Sequence, residues 1–276
     1  SQVKGISPMK KSVLLLSVFL LLTFLTAGYT PRTVTRSTVM LDTTVSFTLY
    51  NSENISIINQ AIALCKKYEN LFSLSVPDSD VAKLNRANGS PVKVSLETLE
   101  ILKRAIQYAE LSEGLFDVTI QSASALWNFK TDNPALPESK ALSKAISKVD
   151  YRNIVISEDN TVTLKNGAQI DLSAIAKGYI ARQAADFIRQ SGIDSAIVDL
   201  GGNMIVIGKK DQKENFTVGI RKPFDKNGGL VGTISVADKA VVTSGVYLQY
   251  FELEGKRYQH ILDPQTGYPV ESDLLS

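Results

Sequence analysis

Asp171-Leu-Ser-Ala-Ile-Ala-Lys-Gly178, continued to Asp199-Leu-Gly-Gly202, is the stretch from which the rest of this chain is read. It opens with a carboxylate and a turn of small residues. Ile175, Tyr179, Ala184 and Ile188 then recur at helical spacing, which predicts an amphipathic helix with one buried face. Gly192 stands where a left-handed C-cap belongs. The apolar run Ala196-Ile-Val-Asp-Leu200 reads as a buried strand, and Gly201-Gly202 stops it. A helix start carries unpaired N–H groups and a partial positive charge, so it accommodates a phosphate. Lys177, in the first turn, adds a full charge. The same layout also suits an ordinary helix–strand unit with a capping Asp, so the flanking sequence has to decide.

Upstream, Val45, Phe47 and Leu49 alternate with polar neighbours and predict a half-buried strand, entered through Met40-Leu-Asp-Thr43. Ile57 to Leu71 has helical periodicity. Phe72 to Gly89 reads as loop around a short Asp80–Asn85 turn. Ser95 is a good N-cap for a helix over Leu96–Leu111, with Leu99, Leu102, Ile106 and Ala109 inward and Gly114 ending it. In Leu115-Phe-Asp-Val-Thr119 a carboxylate and a hydroxyl lie two residues apart and face one way if the backbone is extended. Asp132–Lys140, with two prolines, reads as a surface excursion. Ile154–Ile156 and Val162–Leu164 form a predicted hairpin.

Downstream the pattern is nearly all strand: Met204–Ile207, Phe216–Ile220, Val231–Val236, Ala240–Thr243, Tyr247–Leu253 and Arg257–Leu262. Glu254-Gly-Lys256 turns the last two into a hairpin. Helices early and antiparallel strands late predict an α+β fold, a mostly antiparallel sheet packed with several helices.

Charge is unevenly placed. Residues 1–36 hold Lys4, Lys10, Lys11, Arg32 and Arg36 and no acid. Taking those five from the 30 Lys+Arg leaves the body with fewer bases than its 28 acids, which argues against a nucleic-acid surface. Met9-Lys10-Lys11, the apolar Val13–Leu25 and Thr26-Ala27-Gly28 have the layout of an export signal. The apolar run is shorter than the ~20 residues of a membrane-spanning helix. The expected organisation is thus an expression scar at 1–8, a signal peptide at 9–28, a polar linker at 29–37 and one domain over 38–276. Gly28 stands where a lipoprotein signal has Cys, which leaves lipid anchoring and membrane association through this segment open. Cys65 lies on an apolar helix face and reads as a small core residue.

Several chemistries are excluded. No GxGxxG follows a strand, there is no Walker A loop, no CxxC and no Gly-x-Ser-x-Gly elbow, and one histidine cannot build a multi-histidine zinc site. What remains are turns rich in Asp, Thr, Ser and Gly: Met40–Thr43, Phe116–Thr119, Asp171–Gly178, Asp199–Gly202, Thr243-Ser-Gly245 and His260-Ile-Leu-Asp-Pro-Gln-Thr-Gly-Tyr-Pro269. Each alone is common turn chemistry. Together, Asp-Leu-Ser-x-x-x-Lys-Gly, Leu-Gly-Gly, Thr-Ser-Gly and His-x-x-Asp-Pro-x-Thr-Gly resemble the ApbE-type FAD:protein FMN transferases, from about Met40 onward.

The resemblance implies an ApbE or T-fold-like domain that cleaves FAD at its pyrophosphate. FMN passes to a Ser or Thr hydroxyl of an acceptor flavoprotein outside the cytoplasm, AMP is released, and Mg²⁺ assists. It implies that Met40 packs on the flavin nucleotide and that Asp117, Val118 and Thr119 bind its polar edge. Asp171 and Lys177 would hold ribose or phosphate, Leu262 would bind through its backbone, and Ala174 would give its carbonyl oxygen to the metal. His260 would be the base for the acceptor hydroxyl; the alternative for it is a strand-end histidine capping a turn. The Asp and Thr that complete the family's metal site lie downstream of His-x-x-Asp-Pro and are not in this sequence, so the domain is expected to be truncated. Two other activities fit the same residues: a FAD pyrophosphatase giving FMN and AMP, and a flavin-binding protein without turnover. The last of these gains from the incomplete metal site.

Overall fold

A computed structural model describes residues 32–276 apart from 128, 130–134, 211–212, 226 and 248. The segments read as scar and export signal lie outside the described residues. Thr33–Ser276 form one compact unit.

Thr33–Met40 (β1) and Thr43–Tyr50 (β2) pair antiparallel in unbroken register, from Thr33 opposite Tyr50 to Met40 opposite Thr43. The segment read as linker is therefore strand from Thr33 onward. It escaped notice because its burial follows no period-2 alternation: as an edge strand it leaves most side chains in solvent. β2 is the opposite case, with Val45, Phe47 and Leu49 fully buried. The turn joining them has Leu41 at φ 54° and Asp42 at φ 57°, both left-handed without a glycine. The Leu41 N–H donates to Glu69 Oε1 at 2.7 Å.

Four helical segments follow: Ile55–Phe72 (α1), Asp80–Arg86 (α2), Leu96–Leu111 (α3) and, after a 3₁₀ turn at Val118–Ile120, Gln121–Ser124 (α4). α2 corrects the expected loop. Its Ser79-Asp80 start looks like turn chemistry, but the Ser79 hydroxyl caps the helix by accepting the Ala82 N–H at 2.9 Å. Ser95 caps α3 as its position predicts, accepting the Thr98 N–H at 3.1 Å. Such a cap is worth about 1 kcal/mol. Ser139–Ile146 (α5) falls partly within the stretch read as a surface excursion, of which 132–134 are outside the described residues. Val92–Lys93 (β3), Ile154–Ile156 (β4) and Thr161–Leu164 (β5) make a small sheet in the order β3-β5-β4.

Ser173–Gln190 (α6) is the helix predicted from the opening stretch. Tyr179, Ala184 and Ile188 are buried and Ile175 packs against the same core. Gly192 follows at φ 83°. Ala196–Leu200 (β6) and Asn203–Ile207 (β7) join β1 and β2, and Ala240–Val242 (β10) completes a five-stranded antiparallel sheet, β1-β2-β6-β7-β10. One face of that sheet, through Val45, Phe47, Leu49, Ala196, Val198 and Leu200, packs on α1 and α6 to form the main core. Burying each large apolar side chain there stabilises by about 1.5–3 kcal/mol. The other face meets Phe216–Arg221 (β8) and Leu230–Val236 (β9), which pair with each other. Tyr250–Leu253 (β11) and Lys256–Gln259 (β12) form the predicted hairpin, with Glu254 at φ 50° and Gly255 at φ 77° in its turn. β11 is shorter than expected, and Leu262 lies beyond β12, bridged to Pro269. A separate cluster around Trp127 joins α4, α5 and β11 to that last loop.

Candidate active site

The antiparallel sheet brings three of the sequence-picked turns to one end: the β1–β2 turn, the β6–β7 turn and the end of β10. Gly201 and Gly202 sit at φ 63° and 89°. A Cβ on Gly201 would lie 2.4 Å from Thr43 Oγ1, so glycine is required for the β1–β2 and β6–β7 turns to approach. The Gly202 N–H donates to Asp199 Oδ1 at 2.8 Å, and the Gly202 carbonyl accepts the Thr243 N–H at 3.2 Å. The start of α6 reaches the same edge, since a Cβ on Gly178 would lie 4.0 Å from Asn203 Oδ1.

A second wall comes from Asp117–Thr119. The Asp117 carboxylate is buried and accepts the Thr119 N–H at 2.8 Å, the Thr119 hydroxyl at 2.6 Å and the Tyr151 N–H at 2.8 Å. Burial pushes its acidity toward weaker acid than an ordinary Asp, against the pull of those donors. Thr119 Oγ1 also accepts the Asp150 N–H at 2.9 Å. The turn is tied to the organising stretch by one backbone bond, Asp171 N–H to the Val118 carbonyl at 2.8 Å. Asp171 does not cap α6 directly. Leu172 is the N-cap residue, and Asp171 Oδ1 accepts the Ser173 N–H at 2.8 Å one step earlier. Asn85 fixes the preceding residue: its Oδ1 accepts the Ile170 N–H at 2.8 Å and its Nδ2 donates to the Ile170 carbonyl at 2.9 Å.

The third wall carries His260. Its Nδ1 lies 3.0 Å from the Gln249 carbonyl oxygen, which also accepts the His260 backbone N–H at 3.1 Å. A carbonyl only accepts, so Nδ1 bears the proton and Nε2 keeps its lone pair. Burial, followed by the nearby Lys177 ammonium, holds the ring below its ordinary acidity range, against the raising effect of the Gln249 carbonyl. Lys177 makes no hydrogen bond or ion pair among the described residues and is half-buried. Leu262, on the loop after His260, is buried.

The expected residues therefore fall on linked turns. Asp117, Val118, Thr119 and Asp171 are joined by hydrogen bonds, and Lys177 acts electrostatically on His260. Met40 is buried at the rim of the main core, next to the Leu41-Asp42 turn. Ala174 is exposed in the first turn of α6. Gly178, four residues on, has no side chain to cover the Ala174 carbonyl. Thr43 belongs to the Met40–Thr43 turn picked from sequence, though its close approach to Gly201 leaves no mark there; Asn85 and Gln259 bond to backbone groups and carry no local pattern. A cleft of about 740 Å³ between β9 and β10 is mostly apolar and reaches the turns only at Thr243. Lys177, His260 and the positive end of α6 lie at the turns, which places the chemistry there and not in the cleft.

Such an α+β fold, with a glycine-turn edge, Lys177 at a helix start and a histidine whose Nδ1 faces a carbonyl, gathers groups of the kind that handle a nucleotide's phosphates. Residues 41–276 match the sequence profile of the ApbE family, and the chain belongs to that family. It is 31% identical over 248 residues to a FAD:protein FMN transferase of Klebsiella pneumoniae, covering 89% of this chain and 76% of that protein. It is 34% identical over 265 residues to a FAD:protein FMN transferase of Treponema pallidum, covering 89% of this chain and 73% of that protein. The crystal structure of the ApbE protein of Thermotoga maritima superposes with a TM-score of 0.80 at 32% identity, covering 86% of this chain and 78% of that one. The flavin transferase ApbE of Vibrio cholerae gives 0.77 at 27% identity, over 87% and 79%.

Proposed function

We infer that this chain is a FAD:protein FMN transferase: it cleaves the pyrophosphate of FAD, passes FMN to a hydroxyl of an acceptor protein and releases AMP. The observation that carries this reading is that Lys177, at the start of α6, acts electrostatically on a histidine whose Nδ1 faces the Gln249 carbonyl. That arrangement joins a phosphate-binding charge to a base within one site.

Transfer forms a bond between the acceptor oxygen and the FMN phosphorus and breaks the bond from that phosphorus to the AMP phosphate. The hydroxyl proton goes to Nε2 of His260, and AMP leaves with the electron pair of the broken bond. A positioned base of this kind contributes about a hundredfold to ten-thousandfold. Lys177 and the positive end of the α6 dipole offset charge on the pyrophosphate. Asp171 has its second carboxylate oxygen for a ribose hydroxyl. Asp117 already accepts three donors, so it braces the turn that presents Val118 and Thr119 to the flavin. Met40 and Leu262 supply flanking contacts to the nucleotide.

Magnesium stands differently. Among the described residues no three His, Cys, Asp or Glu side chains come together, and Ala174 offers a single carbonyl oxygen. Mg²⁺ normally takes at least one protein carboxylate along with its waters. The described residues do not fit the ion by themselves. Export supports an extracytoplasmic acceptor: the Met9–Gly28 pattern is that of a signal, with membrane attachment through this segment as a further proposal.

The test is incubation with FAD, Mg²⁺ and an extracytoplasmic flavoprotein acceptor, with products read by mass. AMP together with acceptor carrying covalent FMN is the expected result. AMP with free FMN would replace this reading by FAD hydrolysis, and intact FAD by simple binding.

A further inference from the structure

We propose that Gln259 is a positioning residue that holds His260 and the loop behind it in place, an inference that rests on His260 being the base. Gln259 ends β12 and is 7% exposed. Its carboxamide is spent on a loop neck. Oε1 accepts the Ile261 N–H at 2.7 Å, and Nε2 donates to the Val270 carbonyl at 3.0 Å. Beside them the Val270 N–H donates to the Ile261 carbonyl at 2.9 Å, and Leu262 bridges Pro269. The Gln259 side chain thus adds one bond across the neck, beside the backbone pairs Val270–Ile261 and Asp263–Tyr268, and anchors the 260–261 peptide at its start. At the far end the Trp127 indole N–H donates to the Gly267 carbonyl at 2.8 Å.

His260 stands between Gln259 and this neck. The ring of His260 is carried between two held peptides: the N–H of the 259–260 peptide bonds to the Gln249 carbonyl, and Gln259 Oε1 holds the N–H of the 260–261 peptide. A buried carboxamide suits the task because the neck needs an acceptor and a donor from one planar group. An apolar replacement leaves the Ile261 N–H without this acceptor and the Val270 carbonyl without this donor. Glutamate keeps the acceptor, loses the donor and adds a negative charge one residue from the ring. Among the described residues, Lys177 of α6 is the charged group acting on that ring, and the Gln249 carbonyl faces it from the approach to β11.

His260 is the only histidine of the chain, so its ring protons give a single titrating NMR signal that needs no substrate. In the full protein, Gln259→Glu is expected to raise the His260 titration midpoint by about 0.5 pH or more. The acid limb of transfer should move with it. Gln259→Met should lower kcat about tenfold or more while KM for FAD changes less than threefold. Thermal unfolding of each variant identifies any that fails to fold; the other then carries the test. A midpoint that stays put in Gln259→Glu, or a kcat within twofold of the parent in Gln259→Met, overturns the proposal. His260→Ala run alongside separates the two ideas: undiminished transfer there removes the base, while the NMR midpoint still judges Gln259.

Discussion

The glycine turn at the sheet end and the loop after His260, two walls linked through the start of α6, are held by different forces. Thr43 starts, and Gly201 directly follows, a strand whose side chains fill the largest core, with Val45, Phe47, Val198 and Leu200 all fully buried. The loop over 261–269 rests on a small aromatic cluster around Trp127 and on side chains that bond to backbone. A wall set by strand ladders and apolar burial opens only when the whole domain opens. A wall set by a few bonds opens locally. The chemistry assigned to His260 thus sits on the part of the molecule that single substitutions move most easily.

The largest expected effect falls on that weaker wall. His260→Ala should reduce FMN transfer by about a hundredfold to ten-thousandfold at saturating FAD, with FAD affinity nearly unchanged. The measurement is covalent FMN on the acceptor, by mass, beside FAD binding by fluorescence. A loss of both in parallel would mean that His260 shapes the pocket and takes no proton.

Next come two core truncations, one per wall. Phe47→Ala and Trp127→Ala should each cost about 3–5 kcal/mol, because both side chains are fully buried. Their signatures should differ. Phe47→Ala should lower the protection of amide protons throughout the five-stranded sheet. Trp127→Ala should first expose the amides at Asp263 and Gly267 to exchange. Equal loss of protection at both walls in both variants would erase the distinction between them.

Sequence made the strong wall legible and the weak one only in part. β2, α3, α6 and β6 stand within a residue or two of their expected bounds, because each buries one periodic face. β1 had no such face to show. The Trp127 cluster was also hidden, since it gathers residues from α4, α5, β11 and the final loop that share no local period. The site motifs were visible as unusual turns, and the requirement at Gly201 confirms that such turns reflect close approach. What braces them was not visible. Asn85 grips Ile170 from 85 residues away and Gln259 grips Val270 from 11, and a side-chain amide bonding to backbone leaves no mark in sequence.

A smaller effect bears on how the walls communicate. Lys177 comes from the sheet side and acts on the ring of His260. Lys177→Met removes a charge-assisted contact worth roughly 1.5–3 kcal/mol, so FAD affinity should fall about tenfold or more. It should also let the His260 titration midpoint rise, because an ammonium that opposed the imidazolium is gone. Calorimetric FAD binding and the histidine NMR signal are the two readings. Weaker binding with a fixed midpoint would mean that Lys177 meets phosphate but that the walls are electrostatically separate.

The smallest effect is on stability, and its sign follows from the same histidine. Burial and Lys177 hold the folded ring below the ordinary value of ~6.5, so near and below that pH the unfolded chain binds the proton more readily than the folded one. Unfolding free energy should then rise with pH through the window just below ~6.5 and become flat, as far as this group is concerned, above it. Acidic side chains titrate nearby, and Asp117, with its carboxyl weakened by burial, adds a dependence of the opposite sign above the usual carboxylate range. Subtracting the curve of His260→Gln from that of the parent removes those shared contributions, provided the substitution leaves them in place. The difference should slope by less than about 1.4 kcal/mol per pH, the limit for one proton. A difference that slopes the other way would mean that the folded ring is stabilised as imidazolium. In that case Nε2 would carry a proton at neutral pH and could not accept one from the acceptor hydroxyl.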